Sequence, residues 1–264
     1  MGDDKRKKKG QIPPDTTMSL GDHLEELRAR LILAMLGLVI AIIVCLCFGK
    51  YIIAFIEKPY IKVMDPKARL QSLGPADGFI SYMEIAMISG LILASPWIIY
   101  QLWLFIAAGL YPRERRYIYL AVPFSAVLFV AGALLFLLVI ARITLRYLVW
   151  FNEKFLGVTS NFSFPKYVSF MGTMMLVFGI AFQTPIAIFF LNKTGLVSAH
   201  TLRNVRKYVL LGIVVVASAA IPGSEPISLV ALVVPMYMLY ELGIWLCHFT
   251  GRRSMDERRV TMDD

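Results

Sequence analysis

The residue with the clearest chemical potential in this chain is Glu114, set between Arg113 and the pair Arg115 and Arg116. A carboxylate among three guanidinium groups is either neutralised by its neighbours or held as an acceptor for an incoming cation. Both readings stay open on these residues alone. Glu114 falls within the stretch Ile98 to Tyr117, where an apolar helix carrying Tyr100 and Trp103 stops at Gly109 and Pro112 and meets the arginines. Amphipathic aromatics suited to the headgroup level, a helix stop and then cations describe the cytoplasmic edge of a membrane span.

Three further polar side chains interrupt apolar segments: Gln101, Gln183 and Glu241. The two amides fall at similar depth, within reach of bonding to each other, and read either as glue between helices or as a polar patch in a lipid-facing groove. Glu241 sits within two turns of a cytoplasmic end, where it reaches the interface or meets a buried partner that the sequence does not name. No constellation for catalysis emerges. His23, His200 and His248 belong to three separate boundaries, no Gly-rich phosphate loop is present, and no Ser or Asp pair has a nucleophilic context. Cys45, Cys47 and Cys247 lie in apolar runs at spacings that match no ligand pattern and read as small buried hydrophobes. No catalytic residue, metal or cofactor is expected.

The elements that must position these groups follow from composition. At 264 residues, 58% hydrophobic, 17% charged and mean hydropathy +0.67, the chain is too apolar for a soluble domain of its length. An all-α polytopic membrane protein is expected. The net charge of +9 sits mostly on loops and tails, which fits orientation in the membrane and affinity for anionic lipid; no nucleic-acid motif is present. Residues 1–16 form a charged tail. From Ser19, a candidate N-cap, Leu20, Leu24, Leu27 and Leu31 recur at helical spacing, so a short amphipathic surface helix should lead into the first span rather than a cleavable signal. Six spans are expected at about 31–48, 81–107, 119–140, 167–191, 209–221 and 227–247, which makes 17–248 a membrane domain and 249–264 a C-terminal tail.

An even number of spans puts both termini on one side. Lys and Arg number 18 in the N-terminal, 108–118, 192–208 and C-terminal segments, against 9 in 49–80, 141–166 and 222–226. Both termini are therefore expected in the cytoplasm. Span five has about 13 apolar residues and covers roughly 20 Å, short of a ~30 Å hydrocarbon core. Pro96, Pro123, Pro185 and Pro235 put one proline inside each of four spans, so kinked helices enclosing a concavity are expected. No internal repeat is visible.

With that topology, five stretches together resemble the TatC family, the receptor subunit of the twin-arginine protein translocase: HLEELRARL at 23–31, KPYIK at 58–62, SPWIIYQLWLFIAAGLYPRERR at 95–116, VFGIAFQTPIAI at 177–188 and VPMYMLYELGIW at 234–245. The resemblance implies a protein of the inner (plasma) membrane that binds the twin-arginine signal peptide of folded cargo. Its signal-contacting acids would fall on Glu26 and Glu114. Arg28, Arg30, Arg115 and Arg116 would shape that site, their other reading being positive-inside charge. Phe105 would offer an apolar surface beside it or serve as a core aromatic. Pro59 falls on the family's KP or AP position in the outer loop, and Glu225 where the family often has Asp. Gln183 departs from the pattern, since the family commonly has Glu there.

The resemblance also implies TatA-type and TatB-type single-span partners, self-association in a receptor complex and energy from the proton motive force. Val216 in the short span five and Leu229 in the adjacent span six are the candidate dock for a partner helix. The rival reading is a secondary transporter or channel for a small solute, which calls for a charged residue or a broken-helix pair at midplane. An intramembrane enzyme would need a metal or nucleophile set that the sequence does not offer.

Overall fold

The computed structural model describes residues 20–64, 69–109, 112–194, 197, 199–220 and 226–260, and side chains within these except at 20, 22, 23, 112–118, 120, 199, 200, 220, 226–228, 231 and 248–260. Ser19, the 1–16 tail and Glu225 lie outside the described residues. The chain is all-helical there, with no β-strand among the described residues. A lone parallel bridge joins Gln71 to Ser163.

Helix α1 (Leu20–Cys47) is one unbroken rod of 28 residues, so the amphipathic segment expected to lie at the surface simply continues into the span. Two short helices, α2 (Gly49–Ile56) and α3 (Lys58–Val63), follow, with Pro59 in the opening turn of α3 where its missing N–H costs nothing. α4 (Asp77–Ala108) returns across the molecule and α5 (Pro112–Leu135) reverses it again. A π turn at Phe136–Ile140, α6 (Ala141–Trp150) and a second π turn at Phe151–Phe155 extend that helix. Then come α7 (Phe164–Ala181), α8 (Thr184–Lys193), α9 (Ala199–Asn204), α10 (Arg206–Ala220) and α11 (Pro226–Val260).

Four helical segments are long and apolar enough to cross a bilayer: Leu24–Cys47, Asp77–Ala108, Ala121–Phe155 and Phe164–Lys193. The apolar stretch Leu232–Cys247 is shorter, and α10 has only 15 residues. Three boundaries differ from the expected ones. The third span does not stop near Ile140, because Ala141, Thr144 and Leu145 continue a buried helical face while Arg146 stays exposed. Hydropathy falls there but helical periodicity does not. α11 likewise runs past Cys247 to Val260, so most of the expected C-terminal tail is helix.

The third difference is at Pro185, the one intramembrane proline that ends a helix. Gln183 N–H bonds to the Ile180 carbonyl at 2.9 Å, a tightened turn that separates α7 from α8. Pro96, Pro123 and Pro235 remain inside continuous helices.

The main core gathers Ile56, Tyr60, Ile85, Phe136, Leu137, Met171 and Phe178 from α2, α3, α4, the first π turn and α7. The α2–α3 segment and the chain leading into α7 close over its end. Tyr167 O–H donates to the Ile56 carbonyl at 2.7 Å, and Tyr60 meets Phe162 and Tyr167 edge-on. Burial raises the Glu57 carboxyl above its ordinary range, and it raises Tyr60 with help from the nearby Glu57 charge.

α1 is different: only 11% of its apolar window is buried, so nearly all of its cover within the chain is α4. The two run antiparallel. Tyr82 O–H donates to the Leu46 carbonyl near one end, Gly90 faces Ile42, and Trp97 Nε1 donates to the Leu33 carbonyl at 2.9 Å. Glycine lets the backbones meet. A Cβ at Gly90 would stand 2.6 Å from Ile42 Cγ1 and 2.9 Å from its Cα, the latter fixed backbone. Gly90→Ala should therefore separate α1 from α4 and cost about 1–3 kcal/mol. Thermal unfolding in detergent checks this, and an unchanged midpoint would show the seam to be slack.

Candidate functional site at the α1 and α4 end

The antiparallel seam sets what stands beside Glu26. Carried one turn beyond the Trp97 contact, it brings Arg30 to Gln101, with Glu26 one helical turn from Arg30. Arg30 Nη2 lies 3.1 Å from Glu26 Oε1, one helical turn apart on α1, and Arg30 Nη1 donates to Gln101 Oε1 at 3.3 Å. The Arg30 and Glu26 side chains are 29% and 22% exposed, so the pair is partly shielded from solvent. Gln101 is buried. A guanidinium thus lies across the seam, with a carboxylate on one side and an amide carbonyl on the other.

Glu26 Oε2 has no hydrogen-bond partner among the described residues. Arg28 is exposed on α1, and Phe105 is half-buried near the end of α4. Position 114 falls in the first turn of α5, where the backbone N–H groups and the helix dipole favour an acid. The side chains of Glu114, Arg115 and Arg116 lie outside the described residues.

The pairing of Gln101 with Gln183 that their depth would allow does not occur. Gln101 is taken by Arg30, whereas Gln183 Nε2 donates to the Ser125 carbonyl on α5 at 3.0 Å. Ser125 is fully buried, and its hydroxyl accepts from Trp103 Nε1 at 3.0 Å. Trp103, expected at the headgroup level, is buried at 8% exposure with its ring edge-on to Phe190. One small serine therefore ties α4 to α5 and to the break between α7 and α8. A Ser in an apolar run carries little signal, which is why sequence reasoning missed it. Cys47 is another correction, since it is exposed on α1 while Cys45 and Cys247 are buried.

Glu241 has the partner that the sequence did not name. Arg206 Nη2 lies 2.8 Å from Glu241 Oε2, and Tyr237 O–H donates to Oε1 at 2.9 Å. Val216 is exposed, whereas Leu229 is partly buried against the main core and offers less surface to a partner. Among the described residues no group of three or more His, Cys, Asp or Glu could hold a metal.

The direction of the Gln183 bond decides what a variant there can do. Its amide donates, so Gln183→Leu should lower stability by about 1 kcal/mol. Gln183→Glu can donate only when protonated. Its stability deficit should accordingly grow as pH rises from 5 to 8, read by thermal unfolding at both values against the parent. A pH-independent deficit would exclude the Ser125 contact as the reason.

The family model for Sec-independent protein translocase protein (TatC) matches residues 22–235. The Sec-independent protein translocase protein TatC of Carboxydothermus hydrogenoformans is 32% identical over 93% of this chain and 99% of its own length. The chloroplastic TATC of Pisum sativum is 35% identical over 91% of this chain and 67% of its own. A crystal structure described as the twin-arginine translocase receptor TatC superposes with a TM-score of 0.77 at 31% identity, covering 86% of this chain and 98% of that one. With the family model spanning most of the sequence and the fold agreeing, this chain belongs to the TatC family of Sec-independent protein translocase proteins.

Proposed function

We propose that this chain is the receptor and scaffold subunit of a twin-arginine translocase, binding the twin-arginine signal peptide of folded cargo at Glu26 and Glu114. One observation carries the reading: Glu26 already accepts a guanidinium, from Arg30, at a partly shielded position beside the end of α4. A peptide arginine either takes the second carboxylate oxygen or replaces Arg30. Guanidinium is planar, always charged and suited to bidentate pairing, whereas an ammonium is a more strongly hydrated point charge. Two consecutive arginines then need two carboxylates, and Glu114 is the second. Phe105 supplies apolar surface for the hydrophobic part of the signal, while Arg28, Arg115 and Arg116 shape the site around the two acids.

The topology proposed with it has six spans, with α10 and the apolar part of α11 added to the four long helices. Both termini face the cytoplasm of a cell whose inner membrane holds the protein, on the strength of the Lys and Arg bias. TatA-type and TatB-type single-span subunits assemble on this scaffold, with Val216 on the short α10 as the preferred point of contact. Copies of the chain associate in the receptor complex. Export draws on the proton motive force, with no catalysis by this subunit. The coarse part of this reading, a membrane component of protein transport, follows from family membership.

Binding of a labelled signal peptide to the purified chain in nanodiscs tests it. An Arg-Arg peptide should bind at least tenfold more tightly than its Lys-Lys variant, a gap of about 1.4 kcal/mol. Glu26→Ala and Glu114→Ala should each abolish most of that preference. Equal affinity for the two peptides, or a preference unchanged in both variants, would contradict the reading.

A further inference from the structure

The end of the molecule formed by α9, α10 and α11 holds a groove of about 420 Å³ that the signal-binding site does not use. It is lined by Arg203, Arg206, Glu241, Leu242, Ile244 and Trp245. Each part of its charge is fixed by a contact. Tyr240 O–H donates to the Leu202 carbonyl at 2.7 Å and Leu202 is buried, so α9 is anchored to α11 immediately before Arg203. Glu241 faces Arg206 with one oxygen and accepts from Tyr237 with the other, so its charge is already matched by one guanidinium. The Arg206 side chain is 43% exposed, so its guanidinium still lines the groove beside Glu241, and Arg203 is exposed and makes no ion pair among the described residues.

Two guanidinium groups against one committed carboxylate leave the groove positive and rich in donors, which is the chemistry of an anion site. Helix length gives its depth. The 15 residues of α10 rise about 22 Å, well below a ~30 Å hydrocarbon core, so its charged end is drawn inward to the level of the headgroup phosphates. An apolar track leads away from the groove. Val234, Met238, Leu242 and Trp245 recur at helical spacing on one face of α11 and are 47%, 67%, 48% and 60% exposed.

We propose that this groove binds an anionic glycerophospholipid, its phosphate on Arg203 and Arg206 and its acyl chains along the Val234 to Trp245 face of α11. The depth argument holds for either leaflet, so the proposal does not depend on which way the termini face or on signal-peptide binding. A free phosphate would use the same donors but not the apolar track, and an acidic segment of another protein would not require acyl chains.

Native mass spectrometry of the delipidated full-length chain, titrated with phosphatidylglycerol or phosphatidylcholine, tests it. Phosphatidylglycerol should be retained at least fivefold more tightly. Arg203→Gln should weaken that retention about fivefold, the contribution of one cation at a membrane surface, whereas Lys207→Gln, outside the groove, should not. Arg206 is left in place because its loss would strand Glu241. The proposal is overturned by equal retention of the two lipids, by unchanged retention in Arg203→Gln, or by an equal loss in Lys207→Gln, which would mean general field rather than a site. Displacement of the lipid by equimolar inorganic phosphate would assign the groove to a free anion, and displacement by an equimolar acidic peptide would assign it to a protein partner.

Discussion

The packing of α1 on α4 is the contact on which the rest depends. α1 carries Glu26, yet it touches little else in the chain, and most of its surface is apolar and exposed. Without a hydrophobic driving force between helices in lipid, close backbone approach and a few hydrogen bonds must hold such a helix. Gly37 and Gly90 provide the approach, and the Tyr82 and Trp97 bonds to α1 carbonyls set the register. That register is what aligns Arg30 with Gln101 and Glu26 with the last turns of α4.

Several polar groups elsewhere are committed to a neighbouring helix. Gln183 and Trp103 converge on Ser125, and Glu241 converges with Tyr237 on Arg206. In hydrocarbon an unsatisfied donor or acceptor costs several kcal/mol, so these contacts fix how the helices assemble as well as adding stability. Charge appears toward helix ends, where the aqueous interface or an anionic headgroup can meet it. The uncharged amide of Gln183 fits the same pattern, since it has the Ser125 carbonyl to serve.

Much of the fold was legible in the sequence because long apolar segments have few alternatives in a bilayer. The four long helices and the shortness of α10 follow from length and hydropathy. What stayed hidden was rotation. Hydropathy gives depth but not which way a side chain faces when every face is apolar, so Trp103 was expected at the interface, Cys47 in the core and Gln101 beside Gln183. The end of the third span was misjudged for a related reason, as an amphipathic helix continues where an apolar one ends. For the candidate site, Glu26 and Glu114 were identifiable from motif resemblance, but the Arg30 bridge depends on a register that only the packed pair reveals.

The central claim is that two acids of one chain each grip one arginine of a paired tag, with Glu26 held in reach by the seam. A double-mutant cycle measures this most directly, combining Glu26→Gln and Glu114→Gln with single replacement of each peptide arginine by norleucine and reading peptide affinity. The expected result is a coupling of at least ~1 kcal/mol between each acid and a different arginine. Losses that simply add, with no coupling for either acid, would contradict the account.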